Sequence, residues 1–215
     1  MKLTPTLSLL LLTPLQVFAF APKPMIRVRA VRLFSTTSTR TGIPKGGTRV
    51  SDELLQKFNS QVTNELEASQ LCLAASIWCN SKDLVGMASY MRRESLEERS
   101  HALAFIDFAS KRNMPIKLED VEAPDANWKN VEELWQKVVA SESENTQNLL
   151  ALGDIAAACK DHALTAFLQP YHMEQVNAED NLSTILSKVT EENRTPGLIR
   201  QLDHELGLEA SSHAL

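Results

Sequence analysis

The sequence predicts an all-α protein: a four-helix bundle with one long crossover and a short fifth helix at its C-terminal end. Three observations carry that prediction. Residues 51–191 contain four long stretches whose inward residues recur at alternating steps of three and four, the period of one helix face, and no stretch alternates like a strand. Two of the joints between these stretches are a few residues long, whereas the middle one spans residues 113–130. Beyond residue 50 the only glycines and prolines are Gly86, Gly153, Gly197 and Gly207, and Pro115, Pro124, Pro170 and Pro196. So few turn formers exclude collagen-like, solenoid and many-stranded architectures.

The elements follow in order. Ser51 suits the N-cap of a first helix running to about Cys79, with an inward stripe of Leu54, Phe58, Val62, Glu65, Ser69, Cys72 and Ser76. Asn80–Asp83 is a tight turn, so the second helix, about Leu84 to Asn113, returns antiparallel. Its stripe is Leu84, Met87, Met91, Glu94, Glu98, His101, Phe105 and Phe108. Pro115 and Pro124 bracket the long connection, which must climb the bundle and leave helices two and three parallel. Asn130 with Glu133 resembles a capping box opening a third helix to about Cys159. Its stripe is Val131, Trp135, Val138, Glu142, Asn145, Leu149, Leu152 and Ala156. Lys160-Asp161 turns the chain into a fourth helix ending near Glu191, striped by Leu164, Leu168, Tyr171, Gln175, Ala178, Leu182, Ile185 and Val189. Pro170 should bend it, because proline removes a helix hydrogen bond. Thr195-Pro196 opens the short fifth helix, to about Leu206, with proline in its first turn.

Charge divides the chain in two. The whole has 22 Lys+Arg and 27 Asp+Glu, a formal charge of −5. Residues 1–50 carry eight basic residues (Lys2, Lys23, Arg27, Arg29, Arg32, Arg40, Lys45, Arg49) and no acidic one, so residues 51–215 stand at −13. An acidic body of 165 residues is large enough for one cored domain, and it argues against nucleic-acid binding, which needs a clustered basic surface. The apolar run Leu7–Ala21 is too short and broken for a membrane span. With its basic start and small residues near Ala19 it reads as a signal peptide, and the Arg/Ser/Thr-rich residues 22–50 read as a transit peptide. Residues 1–50 are therefore expected to be a bipartite targeting presequence, resembling those that address proteins to algal plastids. The plain alternative is the secretory pathway. No membrane is expected for the mature form. Three cysteines, Cys72, Cys79 and Cys159, without a CxxC pair suggest neither a disulfide framework nor a zinc site.

The chemistry sits where the core should be apolar. Every stripe is broken near its middle by polar residues: Glu65; Glu94, Glu98 and His101; Glu142; Gln175. An unpaired buried carboxylate costs several kcal/mol, and neighbouring carboxylates raise one another's pKa. Such a cluster is stable around a positive charge, and carboxylates with imidazole suit divalent iron, manganese or zinc. Glu98 and His101, three apart, leave one face of one helix. Glu65 to Glu98 and Glu142 to Gln175 are the same 33 residues apart, as an internal pseudo-repeat would arrange them. Trp78, Trp128, Trp135, Met87 and Met91 read as packing. His162, His172, His204 and His213 read as surface or loop residues.

At these residues the sequence resembles ferritin. Glu65, Glu98-Arg-Ser-His101, Glu142 and Gln175 are similar to the ferroxidase centre of that family, and the likeness extends over residues 51–206. Bacterioferritins and rubrerythrins carry a second Glu-x-x-His on the fourth helix; Glu174 followed by Asn177 fits the ferritins proper, of algal plastid type. The resemblance implies a ferritin-like di-iron domain over residues 51–215. One iron would be held by Glu65, Glu98 and His101, and a second by Glu98, Glu142 and Gln175. It further implies Glu94, Glu97 and Glu174 as accessory iron ligands on the inner-cavity side. Ala178 stands where three-iron ferritins have a glutamate, and Cys72 where many have a tyrosine. Thr165 and Leu168 replace the acidic lining of the three-fold pores, so iron access would use another route, through Asp161 or Glu94.

The implied function is iron storage with ferroxidase activity. Fe(II) would be oxidised to Fe(III) by dioxygen, without an organic cofactor, and stored as ferric oxyhydroxide in a homo-oligomeric cage of twenty-four subunits. The alternatives are a di-iron or di-manganese oxidase acting on another substrate, a storage subunit without oxidation, and a metal-free structural bundle.

Overall fold

A computed structural model describes residues 50–192 and 197–212 of the chain. The expected presequence and the Thr195-Pro196 helix opening lie outside the described residues. The elements are α1 (Asp52–Asn80), α2 (Val85–Lys111), α3 (Val131–Ala158), α4 (His162–Glu192) and α5 (Leu198–Ser212), and there is no strand among the described residues.

Local chemistry sets the ends of these helices. The Ser51 hydroxyl accepts the Leu54 amide at 3.1 Å, and the Asn130 side chain accepts the Glu133 amide at 2.8 Å. The capping box of α3 is displaced by one residue, since Glu133 Oε2 accepts the Lys129 amide at 2.8 Å rather than that of Asn130. Asp83, Asn113 and Lys160 take positive φ at the three chain reversals. α4 is capped by Asp161, whose Oδ1 accepts the Leu164 amide at 3.1 Å. That helix continues through Pro170 to Glu192.

The inward stripes divide the core into two apolar clusters. One gathers Leu71, Ala75, Cys79, Met87, Met91, Trp135, Val138, Leu182, Ile185 and Val189 with Leu202 and Leu206 of α5. The other gathers Leu54, Phe58, Val62, Phe105, Ala109, Leu149, Leu152, Leu164 and Leu168. Burying each large apolar side chain contributes roughly 1.5–3 kcal/mol, so each cluster is a substantial anchor. Between them lies a belt of buried polar residues: Gln61, Glu65, Ser69, Ser95, Glu98, Asn145 and Gln175.

The crossover climbs along α1. The Lys117 amide donates to Asn59 Oδ1 near the start of that helix, and Trp78 Nε1 donates to the Trp128 carbonyl near its end. The two indoles meet edge to face at 6.2 Å. With short joints on either side, this climb makes α2 and α3 parallel.

α5 differs from the sequence expectation. It runs to Ser212 rather than stopping near Leu206. Gly207 does not end the helix, because its missing side chain is used for contact: a Cβ there would come within 3.0 Å of Gly86 Cα. Ala210 extends the buried face by a further turn. α5 packs on α2 and α4. It also caps α2, whose N-terminal residue Leu84 makes no side-chain cap; Asp203 Oδ1 accepts the Met87 amide at 2.7 Å. Among the described residues no helix is long and apolar enough to cross a membrane.

Candidate metal centre

The polar belt draws on all four long helices, at the level where both apolar clusters stop. Glu65, Ser69, Glu98, Asn145 and Gln175 continue the inward stripes of their helices, so helical geometry alone turns them toward one another. Glu65 is 1% and Glu98 8% exposed. His101 Nδ1 lies 3.4 Å from Glu98 Oε2 and 3.9 Å from Glu65 Oε2. One ligand atom from each of these three residues falls within 4.8 Å of the others, close enough to share one cation. On the second hairpin, Gln175 Nε2 donates to Glu142 Oε1 at 2.6 Å and to Thr146 Oγ1 at 3.0 Å. Glu98, His101, Glu142 and Gln175 line one recess of about 570 Å³, bounded also by Glu94, Glu97, Glu174 and Ala178.

The electrostatics describe a centre short of positive charge. Oε2 of Glu65 and Oε2 of Glu98 are buried and have no hydrogen-bond partner. Each such group costs on the order of 1–3 kcal/mol if left unsatisfied. Burial, then the neighbouring Glu98 carboxylate, push Glu65 well above the usual carboxylate range. The same two causes lift Glu142 to about 7. Burial opposes charge on His101, but the neighbouring Glu174 and Glu98 carboxylates prevail and lift it to about 11. A proton on the imidazole balances part of the carboxylate charge. A divalent ion would replace these protons and satisfy both bare oxygens, which is the chemistry expected of a hard-metal site.

A family model for the ferritin-like domain matches residues 55–191. The chain belongs to the ferritin family. Among solved structures it is similar to apo-ferritin from Pseudo-nitzschia multiseries, at 54% identity and TM-score 0.70, over 72% of this chain and 99% of that one. A variant of PmFTN soaked in iron is similar at 55% identity and TM-score 0.70, over 71% of this chain and 99% of that one. Curated relatives include a bacterial non-heme ferritin of Bacteroides fragilis, 31% identical over 65% of this chain and 88% of the relative. Another, from Escherichia coli O6:H1, is 29% identical over 72% and 93%.

In this ferritin the belt contains residues that spacing alone had left without a role. Gln61 is fully buried, and its Nε2 donates to Glu65 Oε1 and to Asn145 Oδ1, both at 2.7 Å. It therefore holds one oxygen of Glu65 and leaves the other facing Glu98 and His101. The signal was its position four residues before Glu65, on the same face. Ser69 ties α1 to α2 through the Ser95 carbonyl at 2.7 Å. Of the accessory acids, Glu174 Oε1 lies 3.1 Å from His101 Nε2, and Glu97 groups with the same pair. Glu94 is held by Arg93 at 2.6 Å.

One expectation is corrected. Asp161 cannot open a route for iron, because it is 3% exposed, caps α4 and pairs with Arg112 Nη2 at 2.7 Å. Cys72 is buried, and burial with the charges of Glu98, Glu94 and Glu142 pushes its thiol well above the ordinary range. All three cysteines are free. His162 and His204 are exposed and His172 is half-buried; His213 lies outside the described residues.

Proposed function

We propose that this ferritin captures Fe(II) at a di-iron centre, oxidises it with dioxygen and passes Fe(III) to a ferric oxyhydroxide store inside a cage of twenty-four copies. Glu65, Glu98 and His101 would hold one ferrous ion, and Glu98, Glu142 and Gln175 the second, with Glu98 between them. Each ion gives one electron to dioxygen, which takes up two protons and leaves as hydrogen peroxide. Hard carboxylate oxygens favour the ferric product over the ferrous reactant, which makes the oxidation downhill. Neutral Gln175 weakens the hold of the second position, so its ion can move on. Glu94, Glu97 and Glu174 are the accessory groups toward which it would move. No organic cofactor is required.

The observation that supports this reading is the buried Glu65–Glu98–His101 group, with two unpartnered carboxylate oxygens facing one imidazole in a ferritin bundle. The test is aerobic addition of Fe(II) with oxygen uptake followed beside iron absorbance. Loss of a partner outside the ligand sphere typically costs ~10–100-fold, so loss of a shared ligand should cost at least that. Glu98→Ala should therefore abolish the rapid phase while the fold is kept; an unchanged initial rate would sink the assignment.

We further propose that residues 1–50 deliver the chain to the plastid stroma. Their composition supports this, and fusing them to a fluorescent protein in an algal cell tests it: secretion of the fusion would favour the plain signal peptide instead.

A further inference from the structure

Arg93 is the one Lys or Arg among the residues lining the recess, facing Glu94, Glu97, Glu98, Glu142 and Glu174. A guanidinium in that position opposes an incoming cation, and it is not there loosely. Its Nε and Nη2 both donate to Glu94 Oε1, at 3.0 and 2.6 Å, and Nη2 also reaches Glu209 Oε1 of α5 at 3.2 Å. The group lies over the Tyr90 ring, 4.5 Å from its centroid. The Tyr90 hydroxyl in turn accepts Asn181 Nδ2 of α4 at 3.0 Å. Three helices therefore hold one cation against one acid. Charge-assisted bonds of this kind are roughly twice as strong as neutral ones, and the partial burial of both partners limits screening. Ala178, across the recess, offers no ligand atom.

We propose that Arg93 is a positioning residue that withholds Glu94 from metal. An ion leaving the Glu65–Glu98–His101 group meets a recess in which one further carboxylate, Glu94, already has Oε1 held by Arg93. It gains both oxygens of Glu94 only by displacing the guanidinium, so it is held weakly and passed on. The inference rests on the reading of that group as an iron site.

Anaerobic calorimetric titration of the iron-free assembly with Zn2+ tests both statements and keeps them apart. Arg93→Gln should bind one more ion per subunit than wild type, or bind the weakest ion about tenfold more tightly, as expected when a neighbouring charge of the same sign is removed. Arg93→Lys should restore wild-type behaviour, and adding Glu94→Gln to Arg93→Gln should erase the gain, which a merely structural role would not do. Should Arg93→Gln fail to assemble, Arg93→Met, which removes the charge but keeps an aliphatic stem beside Tyr90, should give a gain in the same direction. Wild-type binding at the buried group with no gain in either variant overturns the role of Arg93 alone. No Zn2+ binding by wild type overturns the iron-site reading together with it.

Discussion

Single side chains decide what the centre can do. Gln61 spends both amide protons on Glu65 and Asn145, so it orients the ligand rather than touching metal. Gln61→Leu should keep the fold and slow iron oxidation by ~10-fold, the low end for an outer-shell partner, through weaker Fe(II) affinity. Oxidation rates measured over a range of Fe(II) concentrations distinguish this from a loss of maximal rate. The same scale governs pH. Glu65, Glu142 (to about 7) and His101 (to about 11) are all raised in the fold. The metal-free protein therefore retains protons that the unfolded chain releases, and its stability falls as pH rises. For Glu142 the loss runs from the ordinary carboxylate range up to about 7. For His101 the contribution is complete below the ordinary histidine value of about 6.5 and disappears as pH climbs toward about 11. Metal binding expels these protons, so the rise in melting temperature caused by Zn2+ should grow between about pH 5 and 8. Melts with and without the ion across that range check it; a constant increment would contradict the burial of these charges.

Elements are held in register by contacts between segments far apart in sequence. A Cβ at Gly86 would stand 1.7 Å from the Asp203 carbonyl oxygen and 3.0 Å from the Gly207 amide. Both are backbone atoms, so α5 must shift. Gly86→Ala should cost ~2 kcal/mol or more, a fall of roughly 4–8 °C in melting temperature. Gly153→Ala, whose new Cβ meets only the movable His172 side chain at 3.2 Å, should cost much less. Asp161 joins two elements at the other joint, capping α4 while it binds Arg112. Asp161→Ala removes a cap and strands a half-buried guanidinium. A loss of about 3 kcal/mol is expected by denaturant unfolding, and one below about 1 kcal/mol would show the pair to be ornamental.

At the scale of the molecule, the bundle works because two apolar clusters hold a polar layer between them. Each cluster closes one end of the four helices, and neither could tolerate the carboxylates that the middle carries. The exposed apolar side chains Ile77, Leu96, Leu103, Leu150, Met173 and Val176 suit burial against further copies. Size-exclusion chromatography should therefore give a particle far above the 23.9 kDa chain, iron-loaded when isolated from cells. A monomer or dimer would remove the cage from the proposal.

Much of this was legible in the residue order. The stripes of three and four, the unequal joints and the caps at Ser51 and Asn130 define the bundle, because each is set by neighbours within one or two turns. The polar breaks at Glu65, Glu98, His101, Glu142 and Gln175 are legible too, since helix period alone aligns them. The length of α5, the cap that Asp203 lends to α2, the tie of Gln61 to Asn145 and the anchoring of Arg93 by Glu209 are not. Each depends on which surfaces meet, and Gly207, Asp203, Asn145 and Glu209 gain their meaning only from a partner brought close by packing. Periodicity is a local property that the residue order alone determined; the choice of contact across 80 to 120 positions belongs to the tertiary structure, because only packing decides which distant groups share a low-dielectric space.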